Sequence, residues 1–155
     1  MTSAWITSLV ICAFLLVSEV SLAASGIQSV RIFHTSNDRV IDVVNLHSTT
    51  SVVVYDMDIK GRAEASVNSQ VQTRLPRGLN AGNYEAANRE AFNALLNSAQ
   101  WREINEQLEA GNRAIDAAVR FGIEKLPAIV FNDQQVIYGQ RSLKAAINTY
   151  VQENE

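Results

Sequence analysis

Residues 121–139, FGIEKLPAIVFNDQQVIYG, constrain this chain more than any other stretch. Gly122 stops a long helical pattern, because glycine takes the left-handed backbone that closes a helix without a Cβ clash. Leu126-Pro127 leads into the apolar run Ala128-Ile129-Val130-Phe131, Asn132-Asp133-Gln134-Gln135 reads as a turn, and Val136-Ile137-Tyr138 reads as a second strand closed by Gly139. Proline has no N–H for a ladder, so Pro127 is expected at the strand's first position. The X-Pro bond is also where a cis peptide is affordable, and a cis Leu126-Pro127 bond is expected.

The 155 residues suit one small domain after an N-terminal address. Residues 6–17 (ITSLVICAFLLV) are almost purely apolar, and Ser21-Leu22-Ala23 fits a small-x-small cleavage site before Ala24. The apolar core is short for a membrane span. Residues 1–23 are therefore expected to be a cleaved signal peptide and residues 24–155 the exported domain, with no stable membrane insertion after cleavage. The n-region has no Lys or Arg, which leaves an uncleaved anchor as the alternative; either way the body is exported. Glu19 is the one charged side chain in residues 1–23, so the remainder carries 13 Lys and Arg against 15 Asp and Glu, a net charge of −2. Bulk charge thus speaks against direct nucleic-acid binding. The single cysteine, Cys12, lies inside the signal core. Residues 24–155 can form no disulfide, CxxC motif, thiolate nucleophile or cysteine metal site.

Along the domain, residues 29–34 (SVRIFH) read as a first strand and residues 35–38 as a polar loop. Residues 40–46 (VIDVVNL) are too short for a crossover helix and read as an extra strand or irregular segment. Val52-Val53-Val54-Tyr55 shows no alternation, which suits a strand covered on both faces. Ala63, Val67, Val71 and Leu75 mark a short helix broken at Leu75-Pro76-Arg77-Gly78. Gly82-Asn83 opens a long helical stretch with Tyr84, Ala87, Ala91 and Leu95 on one stripe and Phe92 and Leu96 beside it. Asn97-Ser98 offers a cap or kink, and Trp101, Ile104, Leu108, Ile115, Ala118 and Val119 continue the stripe. Gly111 sits on it, where it permits a bend or close packing. Ser142 caps a last helix carrying Leu143, Ala146, Ile147 and Tyr150.

Helix, Leu-Pro, strand, tight turn, strand, Gly, helix resembles the closing half of a thioredoxin-like domain, which implies an α/β fold with a central mixed sheet flanked by helices. In a redox-active thioredoxin the dithiol follows the first strand; here those positions hold His34, Thr35, Ser36, Asn37 and Asp38. The chain would be a thioredoxin-like domain without a CxxC motif. Leu126 and Pro127 are the candidate peptide- or partner-binding residues, Leu126 offering backbone groups to an extended partner. His34 and His47, drawn with Asp38, Asp42, Asp56 or Asp58, are the only set from which a metal site or hydrolytic pair could be built. Neither histidine has ligand spacing such as HExxH, Ser36 and Ser48 lack a nucleophile elbow, and no phosphate loop is present. No catalytic residue, metal or cofactor is assigned. Trp101 and Tyr84 read as core residues, and Lys125 as a solvated cation near a helix C-terminus.

Leu75-Pro76, the long Ala-rich helical stretch, residues 121–131 and Val136-Ile137-Tyr138-Gly139 together resemble a narrower group, the exported thioredoxin-like proteins of integrating conjugative elements. The group's early V-x-V-F-T strand is matched by Val30-Arg31-Ile32-Phe33-His34-Thr35, with His34 inserted. Its Y-V-V-Y-G strand is matched by residues 135–139, with Gln135 in place of an aromatic residue. Val119-Arg120-Phe121 stands where the group often has a tryptophan. The resemblance spans nearly all of residues 24–155, and residues 122–139 are its specific part. It implies a periplasmic, non-enzymatic component of a type IV secretion or mating-pair-formation apparatus, with protein partners in that apparatus, docking through the sheet edge or the Leu126-Pro127 face. A redox-inactive periplasmic chaperone or peptide-binding protein is the second expectation, and an enzyme using His34 with an aspartate the third.

Overall fold

The computed structural model describes residues 26–43 and 50–154. The expected signal segment, Cys12, His47, Ser48 and residues 44–46 of the VIDVVNL run lie outside the described residues. The elements in chain order are β1 (Ser29–His34), β2 (Ser51–Asp56), α1 (Ile59–Arg74), α2 (Ala81–Leu96), α3 (Ala99–Arg120), β3 (Ala128–Phe131), β4 (Gln135–Tyr138) and α4 (Leu143–Asn154). They form a mixed four-stranded sheet in the order β2-β1-β3-β4, with β1 and β2 parallel and the other pairings antiparallel. This is the thioredoxin-like α/β architecture that the closing stretch implied.

Successive side chains of a strand point to opposite faces, and each face here has its own cover. Val30, Ile32, Ile129, Phe131 and Ile137 lie under Leu143, Ala146 and Ile147 of α4. Phe33, Ala128 and Val130 lie under Ala117 of α3, rimmed by Tyr55, Phe121 and Leu126. A third core joins α1, α2 and α3 through Ala63, Val71, Ala91, Leu95 and Ile104.

Several local expectations hold. β1 spans residues 29–34 as read. Gly122 has φ +60, and the bonds from the Gly122 N–H to the Val119 carbonyl (3.2 Å) and from the Ile123 N–H to the Ala118 carbonyl (2.9 Å) complete a Schellman closure of α3. The Leu126-Pro127 peptide is cis. Asn132 and Asp133 both have positive φ, which makes the β3–β4 connection a type I′ turn. Ser142 Oγ accepts from the Ala145 N–H at 3.2 Å, capping α4.

Other expectations need correction. β2 is an edge strand rather than one covered on both faces: Val54 is 47 % exposed, and among the described residues β2 pairs only with β1. The described part of the 40–46 run is irregular, one of its two expected forms, with one parallel bridge, Ile41 to Ser142, beside a buried Val40. α2 starts before Gly82-Asn83, at Ala81, because Asn80 caps it: Asn80 Oδ1 accepts from the Gly82 and Asn83 N–H groups while Asn83 Oδ1 accepts from the Asn80 N–H. The helical stretch divides into two helices at Asn97-Ser98, where a cap or kink was expected. Tyr84, Phe92 and Leu96 are exposed, leaving Ala91 and Leu95 as the buried part of the α2 stripe. Ile115 (41 % exposed) and Val119 (77 % exposed) turn outward, and Gly111, Ala114 and Ala117 face in instead. The approach of α1 explains this choice: a Cβ on Gly111 would lie 2.5 Å from Lys60 Cβ, so only the smallest residues fit the seam. Pro127 stands just before β3 rather than as its first residue, with its carbonyl accepting from the Gly139 N–H at 2.9 Å.

Candidate functional site

The strand register assembles one end of the sheet from three separate parts of the chain. His34 pairs with Asp56, and Phe33 pairs with Ala128, which sets His34 beside Pro127. The loop after β1, the turn after β2 and the Leu126-Pro127 corner therefore meet. In open α/β sheets this end, beyond the carboxyl ends of the parallel strands, is where ligands are usually received.

Charge at this end is locked into a web. Arg62 of α1 donates to Asp56 Oδ2 at 2.5 Å and to Ser36 Oγ at 3.1 Å. The Ser36 N–H donates to Asp58 Oδ2 at 2.7 Å, and the Asp58 N–H to Asp56 Oδ1 at 3.0 Å. Asp38 pairs with Arg141 and accepts from Thr35 Oγ at 3.4 Å, and Asp42 accepts from Ser142 Oγ at 3.0 Å. All four aspartates considered as partners for a histidine are thus engaged in holding loops. Burial pushes the Asp56 carboxyl up, but the Arg62 hydrogen bond, the Asp58 N–H and the attraction of Arg62 and His34 outweigh it and hold it below the ordinary carboxylate value.

His34 is 7 % exposed, and its Nδ1 donates to the Thr35 carbonyl at 3.0 Å. No hydrogen bond joins it to a carboxylate among the described residues, and no group of three or more His, Cys, Asp or Glu side chains among them could hold a metal ion. The register sets His34 beside Asp56 without a hydrogen bond between them, and His47 of the expected set lies outside the described residues.

Pro127 is buried, and Leu126 is half-buried against the Phe33 core. Among the described residues no hydrogen bond involves the Leu126 N–H or C=O. Lys125 beside it is exposed. The corner thus presents an unpaired N–H and C=O on Leu126 and one apolar side chain, groups through which an extended chain can pair.

Sequence reading missed the second polar cluster, at the opposite end of β1. Arg31 binds Asp133 at 2.6 Å through Nε and at 2.9 Å through a terminal nitrogen. Its guanidinium also lies 5.2 Å from the Phe121 ring centre. The hydrogen bond to Asp133 raises the Arg31 pKa, and the bond to Arg31 holds the Asp133 carboxyl below its ordinary value. The available signal was only an arginine in a strand and an aspartate in a turn about a hundred residues apart.

A carboxyl lowered in the folded state adds stability above its unfolded value, about 3.9, and that stability is lost as pH falls through the lowered value. Melting temperature is therefore expected to stay level from about pH 7 to 5 and to fall below about pH 4, as Asp56 and Asp133 protonate. Asp133→Asn should melt lower at neutral pH, by under about 1 kcal/mol for so exposed a pair, and decline less steeply in acid. Calorimetry across that range checks both slopes.

No curated protein and no solved structure matches the chain. A family model does match, over residues 38–154 of the 155, which covers β2 through α4: the protein belongs to the family described as protein of unknown function (DUF1525).

Proposed function

We propose that this protein is a non-enzymatic, periplasmic component of the conjugative transfer apparatus of an integrating conjugative element, working by protein–protein contact at the Leu126-Pro127 end of its sheet. The observation that carries the reading is the unpaired N–H and C=O of Leu126 beside the buried Pro127, in a domain whose expected exported part holds no cysteine. An extended segment of a partner can pair with those two backbone groups, and the half-buried Leu126 side chain adds apolar contact. Thiol exchange is not open to residues 24–155, so contact there ends in binding. The conjugative setting rests on the motif resemblance across residues 122–139.

Deleting the coding sequence is expected to lower the frequency of conjugative transfer, and a Leu126→Asp protein, destabilised by a charge on the rim of the Phe33 core but still folded at the assay temperature, should fail to restore it. The charge at a central contact should cost at least about 2 kcal/mol, roughly thirtyfold in affinity for the partner. A deletion strain that conjugates at the normal rate would sink the proposal.

The same open backbone groups favour a second reading, a redox-inactive peptide-binding chaperone, because backbone pairing is indifferent to side-chain sequence. Capture experiments separate the two: a transfer partner retained over generic unfolded chains supports the apparatus component, and equal retention supports the chaperone. His34→Ala is expected to leave transfer unchanged. Abolished transfer in that variant, with the fold intact, would move the assignment to an enzyme.

A further inference from the structure

The two edges of the sheet are treated differently. β4 has four residues, and α4 guards it: Gln135 binds Glu153, and Asn154 Nδ2 donates to Gln135 Oε1 at 2.8 Å. β2 has six residues, Ser51–Asp56, with no Pro, Lys or Gly. Its one charge, Asp56, is held by Arg62. Natural sheets blunt free edges with charge, proline, bulges or short strands, and β2 uses none of these along its centre.

The pairing with β1 settles which backbone groups of β2 are free. The Ser51 N–H donates to the Gln28 carbonyl and the Met57 N–H to the His34 carbonyl, both at 2.9 Å. By the alternation of a strand, Ser51, Val53, Tyr55 and Met57 address β1, and Val52, Val54 and Asp56 point their N–H and C=O groups outward. Among the described residues none bonds the outward groups of Val52 and Val54.

That edge is self-complementary. In an antiparallel pairing of two β2 strands about a two-fold axis through Val53, Val52 of each copy opposes Val54 of the other. Both residues point their backbone groups outward, so each opposed pair exchanges two hydrogen bonds. Both side chains lie on the same face of the sheet, so Val54, 47 % exposed in the single chain, gains an apolar neighbour. Asp56 opposes Thr50, so no like charges meet. Registers displaced by one residue would set outward groups against inward ones and lose the bonds.

We propose that the outer edge of β2 is a self-association edge, through which two copies of this chain join antiparallel at Val53 and fuse two four-stranded sheets into one. Its partner is a second copy, chosen by the match of register, apolar pairing and charge. The joint is small and its association weak and reversible.

Sedimentation of the purified protein from about 1 μM to 1 mM, the range in which so small a joint assembles, is expected to show the mass doubling. Val54→Pro removes one outward N–H, leaves the β1 ladder and should stay monomeric. Val54→Lys keeps every backbone donor and should weaken the dimer about tenfold, which serves if the proline variant misfolds. Cysteine pairs read the register directly, in a Cys12→Ser background. Two Val53→Cys positions would face each other with Cα atoms about 4.5 Å apart, within disulfide reach. Two Val54→Cys positions would lie roughly 8–9 Å apart, beyond it. Val53→Cys is thus expected to cross-link and Val54→Cys, the more exposed site, is not. A monomer throughout the concentration range, a folded Val54→Pro protein that still dimerises, or Val54→Cys cross-linking as fast as Val53→Cys overturns the proposal.

Discussion

Gly111→Val is expected to lower the melting temperature by about 10 °C, the equivalent of about 3 kcal/mol in a domain of this size. A Cβ at Gly111 would lie 2.5 Å from Lys60 Cβ, 2.9 Å from Lys60 Cα and 3.0 Å from the Lys60 nitrogen. Two of those atoms are backbone, so no rotamer change relieves the clash and α1 must move away from α3. Moving α1 opens the core of Ala63, Val71, Leu95 and Ile104, which holds the three helices together. Gly61→Ala is the control. It lies in α1, its added Cβ would meet nothing within 4 Å, and the gain in helix propensity should stabilise by up to about 1 kcal/mol. Thermal melts of the two variants should therefore shift in opposite directions. A Gly111→Val protein that melts with the wild type would show that the seam between α1 and α3 is not tight.

Asn132→Ala is expected to cost about 3 kcal/mol, measurable as a lower midpoint in urea. Asn132 Oδ1 accepts from the Gln28 N–H at 2.8 Å and the Ser29 N–H at 3.2 Å. Its Nδ2 donates to the Gly26 carbonyl at 3.1 Å and to the Tyr150 hydroxyl at 3.0 Å. One side chain thus ties the β3–β4 turn to the entry of β1 and to α4. Alanine leaves those groups without their partner and also occupies φ +51 poorly, which adds about 1 kcal/mol. Asn132→Gly separates the two contributions, since it keeps the backbone conformation and loses only the clasp. It should recover about a third of the loss. A full recovery would mean that the side-chain bonds contribute nothing.

These positions show where reading the chain alone stops. Asn132-Asp133 is legible as a turn, because both residues tolerate the left-handed region, but nothing local says that Asn132 reaches back to Gln28 or forward to Tyr150. The α3 stripe misled for a related reason. Ile115 and Val119 are apolar at helical spacing, yet the partner surface sits against Gly111, Ala114 and Ala117, and periodicity reports a pattern without reporting what packs on it. Val52-Val53-Val54-Tyr55 likewise reads as buried from composition, and only the sheet order leaves it at an edge. At the candidate site, Leu126-Pro127 was visible from sequence. The engagement of Asp38, Asp42, Asp56 and Asp58 was not, since their partners Arg141, Ser142, Arg62 and Ser36 become neighbours only on folding.

By itself the sequence determined the elements whose cause is local: the Gly122 closure, the proline corner, the tight turn, the Ser142 cap and the absence of any thiol in residues 24–155. Each follows from one residue's backbone preference or from a chemical group that is simply missing. Tertiary structure alone decided which apolar residues face inward, which sheet edge is guarded, and which charges pair. Those outcomes depend on distances between segments far apart in the chain, and no local preference encodes them.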